Sequence, residues 1–240
     1  MPKTADRSFS TLVKQAPLIG PLARRLARTP LVEHLRKRLG FHGSADYWDA
    51  RYRAGGTSGA GSYGRLAAFK AEVLNEFVRS RGITSIVEFG CGDGAQLALA
   101  DYPSYVGVDV APAAVALCTE RFAADPSKRF YLAGTLPGEL APFDLVLSLD
   151  VIYHLVENAV FDTYMRGLFD HARSHVAIYA SDLDVPGPSP HVRHRAFTRW
   201  VAAERPDWHL AGIVPNRYPF DAADPDETSF ADFHFFERRA

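Results

Sequence analysis

The sequence predicts an α/β fold with a doubly wound, mostly parallel sheet. Two observations carry this. From Leu66 onward, short β-branched apolar runs alternate with stretches of helical periodicity, the pattern of successive strand–helix–strand crossovers. The run Gly90-Cys91-Gly92-Asp93-Gly94 follows one such strand, the place where a tight turn at the sheet's carboxyl edge needs glycine.

Residues 1–45 form a basic N-terminal extension, with many Lys and Arg, few acids, and Pro17, Pro21 and Pro30 dividing it into short helical pieces. Its apolar stripe of Leu22, Leu26, Leu31 and Leu35 suits a cap or dimer arm, with weak contact to a membrane surface or a partner as the alternative. Residues 46–240 are expected to form the main domain. Within it, Leu66, Phe69, Val73, Leu74, Phe77 and Val78 recur at helical spacing until Gly82 stops them. Strands are expected at 83–89, 105–110, 129–134, 143–149 and 175–181, and helices at 95–102, 111–125, 157–174 and 191–205, the last ended by Pro206. Two extended runs, 208–216 and 228–238, are close enough to pair as a hairpin closing one edge of the sheet.

The formal net charge of -1 gives no reason to expect a nucleic-acid partner. Cys91 and Cys118, the two cysteines, stand in no CxxC spacing, so neither a disulfide framework nor a cysteine metal site is signalled and a reducing cytoplasm is the expected compartment. There is no apolar run of spanning length and no secretory signal pattern. A monomer or a homodimer is expected.

The glycine turn reads acid-x-G-x-G-x-G, with Glu88 on the strand before Gly90, Gly92 and Gly94. A carboxylate there repels a pyrophosphate and suits a ligand with a cationic amino group, which disfavours a nicotinamide dinucleotide. Glu88-Phe89-Gly90-Cys91-Gly92-Asp93-Gly94 resembles the first motif of the class I S-adenosylmethionine-dependent methyltransferases. The resemblance runs from about Tyr47 to Phe236 and implies a Rossmann-like fold with S-adenosyl-L-methionine as cofactor. It implies that Glu88, Gly90, Cys91, Gly92 and Gly94 line the cofactor, that Asp109, followed by Val110, accepts hydrogen bonds from the ribose, and that Gly134, Thr135 and Leu136 lie by the adenine. The acid usual in that last loop is missing, which leaves the adenine to backbone. Cys91 otherwise reads as a small filler, and Asp93 as a helix cap.

Methyl transfer from a sulfonium asks the protein to position the acceptor, exclude water and remove a proton from a hydroxyl or a protonated amine. Asp150, Tyr153 and His154 follow the fourth strand and are the catalytic candidates. His154 is the expected general base, and stacking on the adenosine is its alternative. Asp150 has a second reading, positioning the cofactor's amino group. On a helix, His191, His194 and Arg195 share one turn, so with Arg193 they are candidates to grip an anionic acceptor, against a solvated face or internal ion pairs. A zinc site on these histidines lacks companion ligands, and no metal is expected. The glycine-rich run 55–65 reads either as a connector or as a lid whose Ser58, Ser62 and Tyr63, with Tyr47, meet the acceptor.

The expected reaction is therefore O-methylation of a small polar metabolite, anionic (phosphate- or carboxylate-bearing) or sugar-like. N-methylation of a small amine and a non-catalytic S-adenosylmethionine-binding module are the alternatives.

Overall fold

The computed structural model describes residues 43–185, 187 and 191–239. The chain divides into two units between His42 and Gly43, and the basic extension expected at 1–45 lies, but for its last residues, outside the described residues. The second unit begins with α1 (Ser44–Arg53), so the expected boundary at 45 falls inside a helix.

Helix α2 (Gly64–Arg81) follows the predicted periodicity and ends on Gly82, whose φ of 61° is left-handed. It buries Leu66, Phe69, Leu74 and Val78. The strands are β1 (Ile86–Phe89), β2 (Tyr105–Asp109), β3 (Lys128–Leu132), β4 (Phe143–Leu149), β5 (Ala172–Ala180), β6 (Trp208–Val214) and β7 (Asp232–Arg238), in sheet order β3-β2-β1-β4-β5-β7-β6. The first five run parallel, whereas β7 is antiparallel to both β5 and β6. The expected hairpin is thus present, with its second strand inserted against β5 and β6 on the edge. The remaining helices are α3 (Pro112–Arg121), α4 (Asn158–Asp170) and α5 (Phe197–Glu204).

Both faces of the sheet are covered, which explains why its central strands are apolar at nearly every position. Val87, Val146, Val176 and Ile178 pack with Phe161, Met165 and Phe197 on one face. Ile86, Leu145, Leu147 and Tyr179 pack with Phe69, Leu74 and Val78 on the other. Each such side chain contributes about 1.5–3 kcal/mol when fully buried.

One expected helix is absent and another starts late. Between Gly94 and β2 there is only a 3-10 turn, Leu97–Leu99, because local bonds satisfy the backbone first: Asp93 Oδ1 accepts the Ala95 N–H, and Asn75 of α2 holds the Leu99 carbonyl and the Asp101 N–H. Pro103 then forbids continuation. The run 191–195 is not helical either. Its amides bond to distant segments, Arg193 N–H to the Tyr153 carbonyl and His194 N–H to the Val185 carbonyl, and α5 starts only at Phe197.

Candidate functional site

The chain passes from β1 outward through β2 to β3, then returns to the other side of β1 for β4, so β1 and β4 frame a switch point, where open α/β sheets bind ligands beyond their carboxyl ends. A cavity of about 180 Å³ lies there. Its walls come from the ends of the strands: Phe89 and Gly90 after β1, Asp109 and Val110 at β2, Ala133 after β3, and Leu149, Asp150 and Val151 at β4. Helix α1 closes it with Trp48 and Tyr52, and α2 contributes Lys70.

The loop's glycines leave no room for side chains at their own positions. A Cβ on Gly90, at φ 87°, would lie 2.4 Å from Val151 Cγ2, and one on Gly92, at φ 58°, would lie 2.3 Å from Ser58 Oγ. Below it Glu88 is only 4% exposed; the Tyr105 hydroxyl donates to its Oε2 at 2.7 Å, yet burial pushes its carboxyl up to about 7. Asp109 accepts the Gly92 N–H on Oδ2 and the Ala111 N–H on Oδ1, both at 2.9 Å. Burial still holds its carboxyl above the ordinary value. A carboxylate offers about four lone-pair sites, so these two bonds fix the side chain without exhausting it.

At the β4 edge, Asp150 has a left-handed φ of 59°, the one non-glycine residue with positive φ among those described. Its Oδ1 accepts the Tyr153 hydroxyl at 2.8 Å and its Oδ2 lies 2.6 Å from Lys70 Nζ. Tyr153 itself is buried behind Asp150 and does not line the cavity. His154 does line it, with the edge of Trp48 against its ring. Its Nδ1 lies 3.1 Å from the His191 carbonyl, which can only accept, so Nδ1 carries the proton and Nε2 keeps its lone pair. Burial drops its pKa to about 4, and the ring is neutral at physiological pH.

The glycine-rich run before α2 lies on this loop. Ser58 N–H donates to Asp93 Oδ2 at 2.8 Å, Asp93 N–H donates back to Ser58 Oγ at 2.9 Å, and the Tyr63 hydroxyl donates to the same carboxylate at 2.7 Å. Partial burial opposes ionisation of Asp93, but these donors outweigh it and hold its pKa below the ordinary value. Asp93, expected as a helix cap, instead ties the two loops together. Ser58 and Ser62 line the cavity, while Tyr63 stays outside it at 41% exposure.

The basic run diverges from expectation. Arg195 is buried, giving its guanidinium to the carbonyls of Leu155 and Val156 and to Asn158 Oδ1. His194 is buried with Nδ1 at 2.5 Å from Ser181 Oγ. Arg193 also bonds Asn158 but leaves 41% of its side chain exposed. None of the three lines the cavity, and with the helix absent they form no shared cationic face. His191 and Tyr47 stack on each other at 4.5 Å, outside the cavity but next to His154. Gly134, Thr135 and Leu136 fall beyond the cavity wall, where their neighbour Ala133 stands; Thr135 bonds the Leu132 carbonyl and Leu136 packs against the core. Gly94 and Tyr153 are likewise behind the lining, whereas Cys91 and Val110 are on it. No group of His, Cys, Asp and Glu suited to a metal occurs among the described residues.

Sequence reasoning missed Trp48, Tyr52, Tyr164 and above all Lys70. One signal was legible: Lys70 falls four residues from both Leu66 and Leu74, a charge where the helical period calls for an apolar side chain.

A family model described as a methyltransferase domain matches residues 87–178. No curated protein matches the chain in sequence. Among solved structures, the N-methyltransferase NodS from Bradyrhizobium japonicum WM9, in complex with S-adenosyl-L-homocysteine, aligns at a TM-score of 0.60 and 15% identity, covering 82% of this chain and 100% of its own. The magnesium protoporphyrin IX methyltransferase from Synechocystis PCC 6803 aligns at 0.57 and 14% identity over 81% of this chain and 97% of its own. The methyltransferase domain of the bacterial protein CtHen1-C aligns at 0.56 and 15% identity over 71% and 97%. These likenesses establish the shared fold.

Proposed function

We propose, from the premise that this chain carries a class I S-adenosylmethionine-dependent methyltransferase domain, that it methylates an oxygen of a small polar metabolite at the β1–β4 edge. The observation that carries the cofactor assignment is the charge of the cavity. Glu88, Asp109 and Asp150 line it against a single cation, Lys70, a donor set that fits a ligand bearing a sulfonium and an ammonium. When bound, S-adenosyl-L-methionine supplies an electrophilic methyl group.

The chain's own residues do the rest. Asp109, with lone pairs beyond its two backbone bonds, takes the ribose hydroxyls, and Gly90, Cys91 and Gly92 allow close backbone approach, with Glu88 beneath them. Val110 and Ala133 flank the adenine. Asp150 takes the ammonium, while His154 Nε2 accepts the acceptor's proton. A base whose conjugate acid lies near pKa 4 is weak, so His154 serves an acceptor that loses its proton as the methyl bond forms. Trp48, Tyr52 and the 55–65 segment exclude water.

Of the cationic residues expected to hold an anionic acceptor, Arg193 is the most exposed, but its guanidinium bonds Asn158, lies 4.0 Å from Asp184 and does not line the cavity, so nothing in the site favours an anionic handle. The cavity's excess of carboxylates favours a second reading, a small amine as acceptor. Calorimetry with S-adenosyl-L-homocysteine tests the cofactor assignment, and absence of binding overturns it. Incubation of hydroxyl- and amine-bearing metabolites with methyl-labelled cofactor then separates the two acceptor classes, and cofactor binding without labelling of either class would favour the non-catalytic module.

A further inference from the structure

Lys70 is 1% exposed, on a helix face whose other buried positions are apolar or small. Burying an ammonium costs several kcal/mol before any pairing, and a buried ion pair is often no more stabilising than a packed hydrophobic pair. Folding therefore gives a poor reason for a lysine at this position, where leucine or methionine would fill the same volume.

The reason lies in what its ammonium touches. Nζ is 2.6 Å from Asp150 Oδ2 and 5.3 Å from the centre of the Tyr179 ring, so two neighbours from different strands fix it. Asp150 is held as completely. Its other oxygen accepts the Tyr153 hydroxyl, its N–H donates to the Tyr179 carbonyl at 2.9 Å, and its backbone is left-handed. Such a backbone costs roughly 1–3 kcal/mol and persists only where the surroundings over-determine it. On the remaining side, a Cβ on Gly61 would lie 2.8 Å from Oδ2, so the 55–65 segment closes on the same carboxylate.

We infer that Lys70 is a positioning residue for methyl transfer: it holds the Asp150 carboxylate aimed into the cavity from its left-handed turn. This rests on the proposed contact between Asp150 and the cofactor's ammonium. Asp150 faces Lys70 from α2, Glu88 from β1, Tyr179 from β5, and Tyr153 and His154 from the turn after β4. Lys70 is the one that bonds Oδ2, so without it that oxygen loses its anchor and the carboxylate is free to turn away from the cavity.

The test is S-adenosyl-L-homocysteine affinity from pH 6 to 9 in Lys70→Met and Lys70→Arg, with the melting temperature of each variant measured beside it. Lys70→Met is expected to weaken binding on the order of tenfold at pH 7. Lys70→Arg, which keeps the charge, is expected to stay within about threefold of the parent at every pH. If Lys70→Met does not fold, Lys70→Gln supplies the uncharged arm. An uncharged variant that binds within twofold of its parent from pH 6 to 9, with only its melting temperature changed, overturns the inference and leaves Lys70 as scaffolding. A wild-type protein that binds no S-adenosyl-L-homocysteine overturns the cofactor assignment and this inference with it, whereas wild-type binding with uncharged variants that bind as tightly as the parent overturns the inference alone.

Discussion

The glycine loop with its carboxylates and the basic run at 191–195 are both polar and both stand out in the sequence, yet they spend their polarity in opposite ways. Around the loop, Asp109 and Asp150 are each tied at two points and still border the cavity. In the basic run, Arg195 gives its donors to two carbonyls and an asparagine, and His194 turns inward to Ser181. A cluster of charge shows that something needs pairing, and only the fold decides whether the partner is a ligand or the protein itself.

That contrast makes Arg195→Ala the largest expected effect, and on stability. Losing the charged donors of two buried carbonyls should cost about 3 kcal/mol in denaturant unfolding, while S-adenosyl-L-homocysteine affinity stays within a few-fold. The reverse pattern, a stable variant with impaired affinity, would break the comparison. Asp109→Ala is its counterpart, expected to weaken the same affinity on the order of 100-fold by calorimetry through loss of the charged ribose acceptor. Undiminished affinity would leave Asp109 with only its backbone bonds.

Two buried titrating groups sharpen the comparison within the cavity itself. His154, about 4 when folded against an ordinary 6.5, contributes stability that is present above pH 6.5 and lost as pH falls toward 4. Glu88, about 7 against 4.5, contributes stability that is present below pH 4.5 and lost as pH rises toward 7. The windows overlap with opposite sign. Relative to wild type, Glu88→Gln should gain stability as pH rises from 4.5 to 7, and His154→Gln should gain it as pH falls from 6.5 to 4. Difference curves parallel to wild type would mean that neither group is shifted.

The smallest expected effect is Tyr63→Phe. Removing one charge-assisted hydrogen bond to Asp93 should cost about 1–2 kcal/mol in stability and, if the 55–65 segment gates the site, lower turnover further than the melting temperature explains. Turnover that tracks stability alone would reduce the segment to a connector.

Much of the fold was legible in the sequence. Periodicity placed α2 and its Gly82 stop, β-branched runs placed β1 to β5, and two extended runs predicted the β6–β7 pairing. The glycine order and Glu88 marked a loop that does line the cavity, because backbone conformation and the sign of a local charge are properties of a few consecutive residues. The failures share one cause. The segment after Gly94 looked helical, but Asn75, on another element, captured its backbone. The 191–195 run looked like a cationic face, but Tyr153 and Val185 captured its amides. Lys70 and Asp150, 80 residues apart, meet only because α2 lies beside the end of β4. The sequence by itself determined the order of strands and helices and the chemistry of the glycine loop, since both are written in local pattern. Which charges face the cavity was decided by the tertiary structure alone, because a buried charge is stable only beside its partner and these partners come from distant parts of the chain.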